Sequence, residues 1–249
     1  MSIRAVTFDC WGTLIQDHNL DKAMAARTAA IVGCTNLDET AARELFDRGW
    51  REHHNSWVGG VQYGAEGIAS FVCSELSIGD DLVRDRLTEA FEEAGRHGTL
   101  EALDGAPHTL KTLRAAGIRT ALVCDTGLTP GRVVRDFLSD LDLLDNLEFC
   151  AFSNEVGVPK PDRRIFHAAL TAIDTKPDEA VHVGDLLRTD IHGGRSFGMK
   201  TVRITAVNDD REARFSFGEN SDMQVDEADR VVASHHELLD ALRDLGASL

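Results

Sequence analysis

Hydrophobic positions along the chain fall into two patterns that occupy separate stretches. Short, nearly continuous apolar runs cover Ile3–Phe8, Thr120–Cys124, Phe149–Phe152, Ala180–Val183, Thr201–Ile204 and Arg230–Ala233. Runs of this length without polar alternation predict strands buried on both faces, as in a parallel sheet. Between several of them the apolar positions recur at helical spacing. Pro107–Ala116 stops at Gly117, a residue suited to the position just past a helix end. Thr129 and Pro130 supply a cap and a first-turn proline for a helix reaching Leu138. Asp162–Ile173 gathers Ile165, Phe166, Ala169 and Leu170 on one face, Asp190–Phe197 follows Thr189 as its cap, and His235–Leu245 aligns Leu238, Leu239, Leu242 and Leu245. Strand and helix in alternation predict an α/β fold built on a doubly wound parallel sheet.

Residues 16–97 interrupt this alternation. Helical periods near 21–32, 38–54, 65–77 and 80–95 follow one another with no strand between them. The expected organisation is therefore a core domain of residues 1–15 and 98–249, with a helical domain of residues 16–97 inserted after the first strand and its turn. An insertion there would act as a cap or lid over the strand ends. Residues 207–229 are polar and acidic and read as a solvated excursion.

Composition narrows the classes of function. With 249 residues, 43% of them hydrophobic, the chain can bury a proper core, which excludes a disordered protein. A net charge of −16 argues against a nucleic-acid partner and makes any anion site depend on local cations or a metal. No apolar run approaches the ~20 residues of a membrane span, and the start shows no signal-peptide pattern. Cys10, Cys34, Cys73, Cys124 and Cys150 are odd in number and lack metal-ligand spacing, so free thiols in a reducing cytoplasm are expected.

Candidate chemistry sits at the strand ends. Asp9 closes the first strand and is followed by the turn Gly12-Thr13; Gly184-Asp185 closes another, with Asp190 five residues on; Lys160 stands between Pro159 and Pro161. Carboxylates at the carboxyl ends of parallel strands lie where open α/β sheets bind ligands. Asp9 suits a nucleophile that splits one hard step into two. Asp185 and Asp190 offer the oxygen ligands a hard cation takes, although a charge at a helix start is the plainer role for Asp190. Lys160 is one of only five lysines, and prolines on both sides restrict its backbone, which suits a fixed point charge for a phosphate or carboxylate. The ten histidines show no ligand spacing and read as ordinary surface or core residues. Arg27, Arg43, Arg48 and Arg51 read as solvated helix surface.

These residues resemble the haloacid dehalogenase (HAD) superfamily of hydrolases over nearly the whole chain. The first motif corresponds to Asp9 through Thr13, the second to Val123-Cys124-Asp125-Thr126-Gly127, the third to Lys160-Pro161, and the fourth to Gly184-Asp185 with Asp190. The resemblance implies a Rossmann-like core with a helical cap after the first motif. It implies Asp9, Lys160 and Thr13 as catalytic residues. It also implies a Mg²⁺ site from Asp9, the main-chain carbonyl of Trp11, Asp185 and Asp190, and a small, anionic substrate met by Trp11, Cys124, Asp125 and Thr126.

Two departures divide the expected chemistry. Phosphatases of the superfamily carry an acid/base aspartate two residues after the nucleophile, where this chain has Trp11; dehalogenases place an aromatic there. Dehalogenases replace the first aspartate of the fourth motif by serine and use no metal, whereas this chain keeps Asp185. Cys124 occupies the usual Ser/Thr position of the second motif, and a thiol is a weak donor, so Thr126 or backbone N–H groups would take over its role. Mg²⁺-dependent hydrolysis of a phosphoester is the first expectation, and carbon–halogen hydrolysis through an aspartyl ester the second. The third is a low-turnover binding or regulatory protein on the same fold.

Overall fold

The computed structural model describes residues 2–208 and 227–249. Along the chain the elements run β1 (Ala5–Phe8), β2 (Ile15–Asp17), α1 (Leu20–Cys34), α2 (Glu39–Val58), α3 (Gly64–Glu75), α4 (Asp81–Glu93), β3 (Leu100–Ala102) and α5 (Ala106–Ala115). They continue with β4 (Arg119–Cys124), α6 (Gly131–Asp140), β5 (Phe149–Phe152), α7 (Ser153–Val156), α8 (Arg163–Ala172), β6 (Ala180–Gly184), α9 (Gly193–Phe197), β7 (Lys200–Ile204), β8 (Arg230–Val232) and a C-terminal helix, His235–Asp244. Most of the expected solvated excursion, residues 209–226, lies outside the described residues. The chain divides into two compact units: Met1–Gln16, Glu101–Asp125 and Leu138–Leu249 form one, Asp17–Leu100 and Thr126–Phe137 the other.

The first unit is built on six parallel strands in the order β5-β4-β1-β6-β7-β8. Numbered among themselves these strands read 3-2-1-4-5-6, so the winding reverses between β1 and β6. That reversal opens a crevice at the carboxyl ends of the two strands. Register sets Ala5 beside both Arg119 of β4 and Ala180 of β6. Every residue of β1 and β6 is buried, which is why the apolar runs carry no alternation. Helix α8 starts at Asp162, whose side chain accepts from the Arg164 N–H at 2.9 Å. It buries Ile165, Phe166, Ala169 and Leu170 against Ala5, Ala121, Val123 and Ala151 of the sheet. The two-stranded pair β2–β3 is absent from the apolar pattern, because three-residue strands are too short to show a period.

One expected helix differs. Instead of an α-helix from Asp190 capped by Thr189, a π-helical turn spans Leu187–His192 and runs on into α9. The Leu186 carbonyl accepts from both Asp190 N at 3.0 Å and Ile191 N at 3.2 Å. The five-residue spacing between Asp185 and Asp190 is accommodated by this wider turn, and Thr189 lies inside it rather than at its start.

The second unit is helical. Asp38 caps α2 by accepting from Ala41 N, and Asp80 caps α4 by accepting from Leu82 N, each at 2.9 Å. Ile31, Leu45, Phe46, Ile68, Val72, Leu87, Phe91 and Leu128 form its core, with the Phe46 and Phe91 rings edge to face at 5.5 Å. The segment Thr126–Phe137, which the alternating pattern groups with the sheet, belongs to this unit. Arg27, expected on a solvated face, is buried and donates from Nε to the Phe91 carbonyl at 3.1 Å. Arg43 and Arg48 keep the expected exposure and pair with Asp47 and Glu75, and Arg51 is exposed. Among the described residues no helix is long and apolar enough to cross a membrane.

Candidate active site

Asp9 continues the β1 ladder by one bond, its N–H donating to the Val183 carbonyl at 2.8 Å. The side chain thereby reaches the end of β1 beside the end of β6, where Asp185 follows Gly184. Gly12 turns the chain sharply after Asp9. Its φ is +73°, and a Cβ there would stand 2.4 Å from Asp185 Oδ2, so both conformation and space require glycine. The turn is closed by Leu14 and Ile15 N–H groups on the Cys10 carbonyl at 2.8 and 3.0 Å. Trp11 is half-buried within it.

Lys160 reaches this crevice from the loop between α7 and α8 and is only 2% exposed. Its N–H donates to Asp125 Oδ1 at 2.8 Å, which ties the loop to the end of β4. Its ammonium sits 2.5 Å from Asp9 Oδ1 and 2.6 Å from Asp190 Oδ1. Oxygens of Asp9, Asp185 and Asp190 all lie within 4.8 Å of one another. The structure thus brings together in one unit Asp9, Asp125, Lys160, Asp185 and Asp190, which come from four separate segments.

The two aspartates after β6 are in opposite states. Asp190 is fully buried and accepts four hydrogen bonds. Oδ1 takes Lys160 Nζ and, at 3.1 Å, His182 Nε2; Oδ2 takes the Leu186 N–H at 3.0 Å and the Thr189 hydroxyl at 3.2 Å. Burial pushes its carboxyl up, but Lys160 and His182 outweigh burial and hold it below the usual carboxylate range. Asp185 Oδ2 accepts from Asn208 Nδ2, while Oδ1 is buried with no partner among the described residues. Burial, together with the charges of Asp9 and Asp190, pushes the Asp185 carboxyl well up. Asp9 lies between the two cases: burial raises it to about 7 against the pull of Lys160. Burial disfavours the Lys160 ammonium, but Asp190, Asp9 and Asp125 together hold it well above the usual lysine range.

Other expected residues stand nearby in different roles. The Thr13 hydroxyl is buried and makes no hydrogen bond among the described residues; its carbonyl accepts from His235 Nε2 at 2.7 Å. Cys124 ends β4, fully buried; desolvation, then the neighbouring Cys10 thiol, pushes its own thiol well up, so it stays protonated. Thr126 belongs to the helical unit, where its carbonyl accepts from Gln62 Nε2 at 2.9 Å.

Sequence reasoning missed His182 and Asn208. His182 was readable: a histidine in the middle of an apolar strand must be hydrogen-bonded if buried. Asn208 lies in a polar tract with nothing to single it out.

The haloacid dehalogenase-like hydrolase family matches residues 3–198. The chain is 28% identical over 220 residues to (S)-2-haloacid dehalogenase 1 of Pseudomonas sp. (strain CBS-3), covering 86% of this chain and 89% of that one. It is 32% identical over 148 residues to a glyceraldehyde 3-phosphate phosphatase of Pyrococcus furiosus, 57% of this chain and 55% of the other. The chain spans about half the length of several curated relatives it matches. In fold it is similar to a HAD phosphatase from Thermococcus onnurineus, with a TM-score of 0.66 at 23% identity over 96% of this chain and 98% of that one. Four of the six parallel strands, and the aspartate, lysine and two further aspartates that meet at the switch point, lie inside the matched span, and the chain belongs to the haloacid dehalogenase-like hydrolases.

Proposed function

We propose that this hydrolase cleaves the phosphoester of a small anionic metabolite, with Asp9 as nucleophile and Mg²⁺ as cofactor. The observation that carries the reading is Asp185. Its Oδ1 is buried with no partner among the described residues, beside Asp9 and Asp190, and Lys160 already serves those two carboxylates. A buried carboxylate oxygen in that position suits a cation rather than another hydrogen-bond donor. Asp9, Asp185 and the main-chain carbonyl of Trp11 would hold the ion. Asp190, its acceptor positions filled, would support the site through Lys160. When bound, Mg²⁺ supplies the positive charge that lets an anionic phosphate approach a carboxylate.

The chain's own residues account for the rest. Asp9 Oδ attacks phosphorus, the bond from phosphorus to the ester oxygen breaks, and an aspartyl-phosphate remains while the alcohol leaves. Water then hydrolyses that acyl-phosphate, releasing phosphate and restoring Asp9. Lys160 holds Asp9 in place and neutralises charge beside it. No carboxylate stands two residues after Asp9, so the leaving oxygen takes its proton from water or from the substrate itself. A positioned acid contributes ~10²–10⁴-fold, and wild-type turnover is correspondingly slow. The inserted helices act as a cap that selects the substrate, and five cysteines outside any disulfide accord with a reducing cytoplasm.

One observation favours a second reading. Trp11 stands where the phosphatase acid/base would be, and halide leaves without protonation. The near full-length relative named a 2-haloacid dehalogenase fits that reading too. A panel of phosphate monoesters and 2-haloacids, each assayed with Mg²⁺ and with EDTA, separates the two. Phosphate release that requires Mg²⁺ is expected; metal-independent halide release would establish the second reading, and silence in every arm would leave a binding or regulatory role.

A further inference from the structure

His182 lies two residues before the end of β6 and has no place in the chemistry described so far. It is fully buried, yet both ring nitrogens are engaged. Nε2 meets Asp190 Oδ1 at 3.1 Å and Nδ1 meets the Thr7 hydroxyl at 2.8 Å. A carboxylate only accepts, so Nε2 carries the proton and Nδ1 accepts from Thr7. This tautomer follows from the fold itself, since parallel register sets Thr7 of β1 directly beside His182 of β6. The Phe166 ring stands edge-on to the imidazole at 5.1 Å and 89°, which fixes its plane. Gly194 leaves room for the histidine: a Cβ there would come within 3.2 Å of His182 Cβ.

Asp190 Oδ1 is shared. The same oxygen takes the His182 Nε2–H and the Lys160 ammonium. A continuous buried path therefore runs Thr7–His182–Asp190–Lys160–Asp9. Leu186 N and Thr189 hold only the other oxygen, so the direction in which Oδ1 faces Lys160 depends on His182.

We propose that His182 is a positioning residue: through Asp190 it orients the Lys160 ammonium on Asp9. The proposal rests on the reading of Asp9 as nucleophile. Such outer partners of a reacting group change activity by about 10–100-fold when removed. An apolar residue would fill the same volume in this strand, so a histidine here is a statement about Lys160 rather than about packing.

The test uses His182→Leu, His182→Gln, Thr7→Val and Asp9→Asn in the full chain with Mg²⁺ and a generic phosphate ester. Leucine removes the donor; glutamine restores an N–H near the Nε2 position; valine removes the Thr7 hydroxyl at constant shape. His182→Leu should lower kcat by about 10–100-fold with KM nearly unchanged, and His182→Gln should recover most of the loss. Thr7→Val should move kcat in the same direction by less. Acetylation of Lys160 by acetic anhydride, read by mass spectrometry against the exposed Lys111, gives a readout that needs no activity. It should rise severalfold in His182→Leu and stay near wild type in His182→Gln. Wild-type kcat and wild-type Lys160 labelling in His182→Leu overturn the proposal, as does equal loss in the Leu and Gln variants with labelling unchanged. Should His182→Leu fail to fold, Thr7→Val and His182→Gln decide by the same criteria. An active Asp9→Asn protein overturns the nucleophile reading alone, and the labelling result then still decides whether His182 holds Lys160.

Discussion

The helical unit and the crevice of the sheet unit treat charge in opposite ways. In the helical unit, ion pairs such as Arg96–Glu93, Arg96–Asp136 and Arg132–Glu92 lie on the surface, and its interior is hydrocarbon. Arg27, Thr28 and His53 are also buried there, and each is hydrogen-bonded to backbone. In the crevice, Asp9, Lys160, Asp185 and Asp190 are all buried within a few ångströms of one another. Exposed pairs contribute roughly 0.2–1 kcal/mol each. Buried charges carry a desolvation cost that their mutual attraction repays only with complete hydrogen bonding. Asp190 has that completeness and Asp185 does not. Among the described residues Asp185 Oδ1 is buried with no partner, a cost that the proposed cation would offset.

The comparison breaks first at Asp9. Asp9→Asn should lower turnover by more than about 10³-fold, because an amide cannot act as the nucleophile. Its melting temperature in EDTA should hold or rise, since Lys160 keeps Asp190 and one repelling carboxylate is gone. A folded, fully active Asp9→Asn variant would falsify the assignment of this crevice as the reacting centre.

Trp11→Asp tests what the crevice lacks. A carboxylate two residues after Asp9 should raise kcat on a phosphate ester by up to about 10²-fold, the low end for a positioned acid. It should also cost stability, because an indole is replaced by a much smaller group. If phosphate release stays flat in a folded variant while wild type liberates halide, carbon–halogen hydrolysis becomes the native reaction.

Metal linkage sharpens the contrast between Asp185 and Asp190. At a Mg²⁺ concentration of about 100 Kd the native state gains ~2.7 kcal/mol, or several degrees at roughly 2–4 °C per kcal/mol for a chain of this size. Asp185→Ala should erase that shift. Melting curves of wild type that coincide with and without millimolar Mg²⁺ would remove the cation site.

The same shift should depend on pH. Burial raises Asp9 to about 7 in the folded protein, against 3.8 for the free group. Between these values the folded state holds more protons than the unfolded one, so stability without metal falls as pH rises through that window. Mg²⁺ must displace the same proton. Its stabilisation should therefore be larger at pH 8 than at pH 5.5, and a pH-independent shift would place the ion away from Asp9. The smallest effect belongs to the helical unit: Arg132→Ala, on a half-exposed side chain, should cost no more than about 1 kcal/mol and leave turnover unchanged.

Much of this was legible in the residues themselves, for identifiable reasons. Apolar runs reported the strands at the centre of the sheet because strands buried on both faces are mostly apolar, with Thr7 and His182 as buried polar positions that hydrogen-bond each other. Asp9, Lys160, Asp185 and Asp190 were legible because motif residues keep fixed places relative to strand ends. Thr13 and Cys124 were legible as positions but not as roles: one hydroxyl is buried with no partner among the described residues, and one thiol is held protonated. The π-turn was hidden because an apolar pattern over so short a stretch reports a helix and not its hydrogen-bonding pattern.

The sequence alone determined the succession of the six sheet strands and which charged residues fall at strand ends, since these depend on local periodicity and on chain order. Only the tertiary structure decided that Lys160 bridges Asp9 and Asp190, that Asp190 is saturated while Asp185 is not, and that a histidine within β6 reaches the site through Asp190. Those are properties of distances between segments far apart in the chain. Register of β1 against β6, and the loop that delivers Lys160, bring them within hydrogen-bonding range, and no local pattern encodes a distance of that kind.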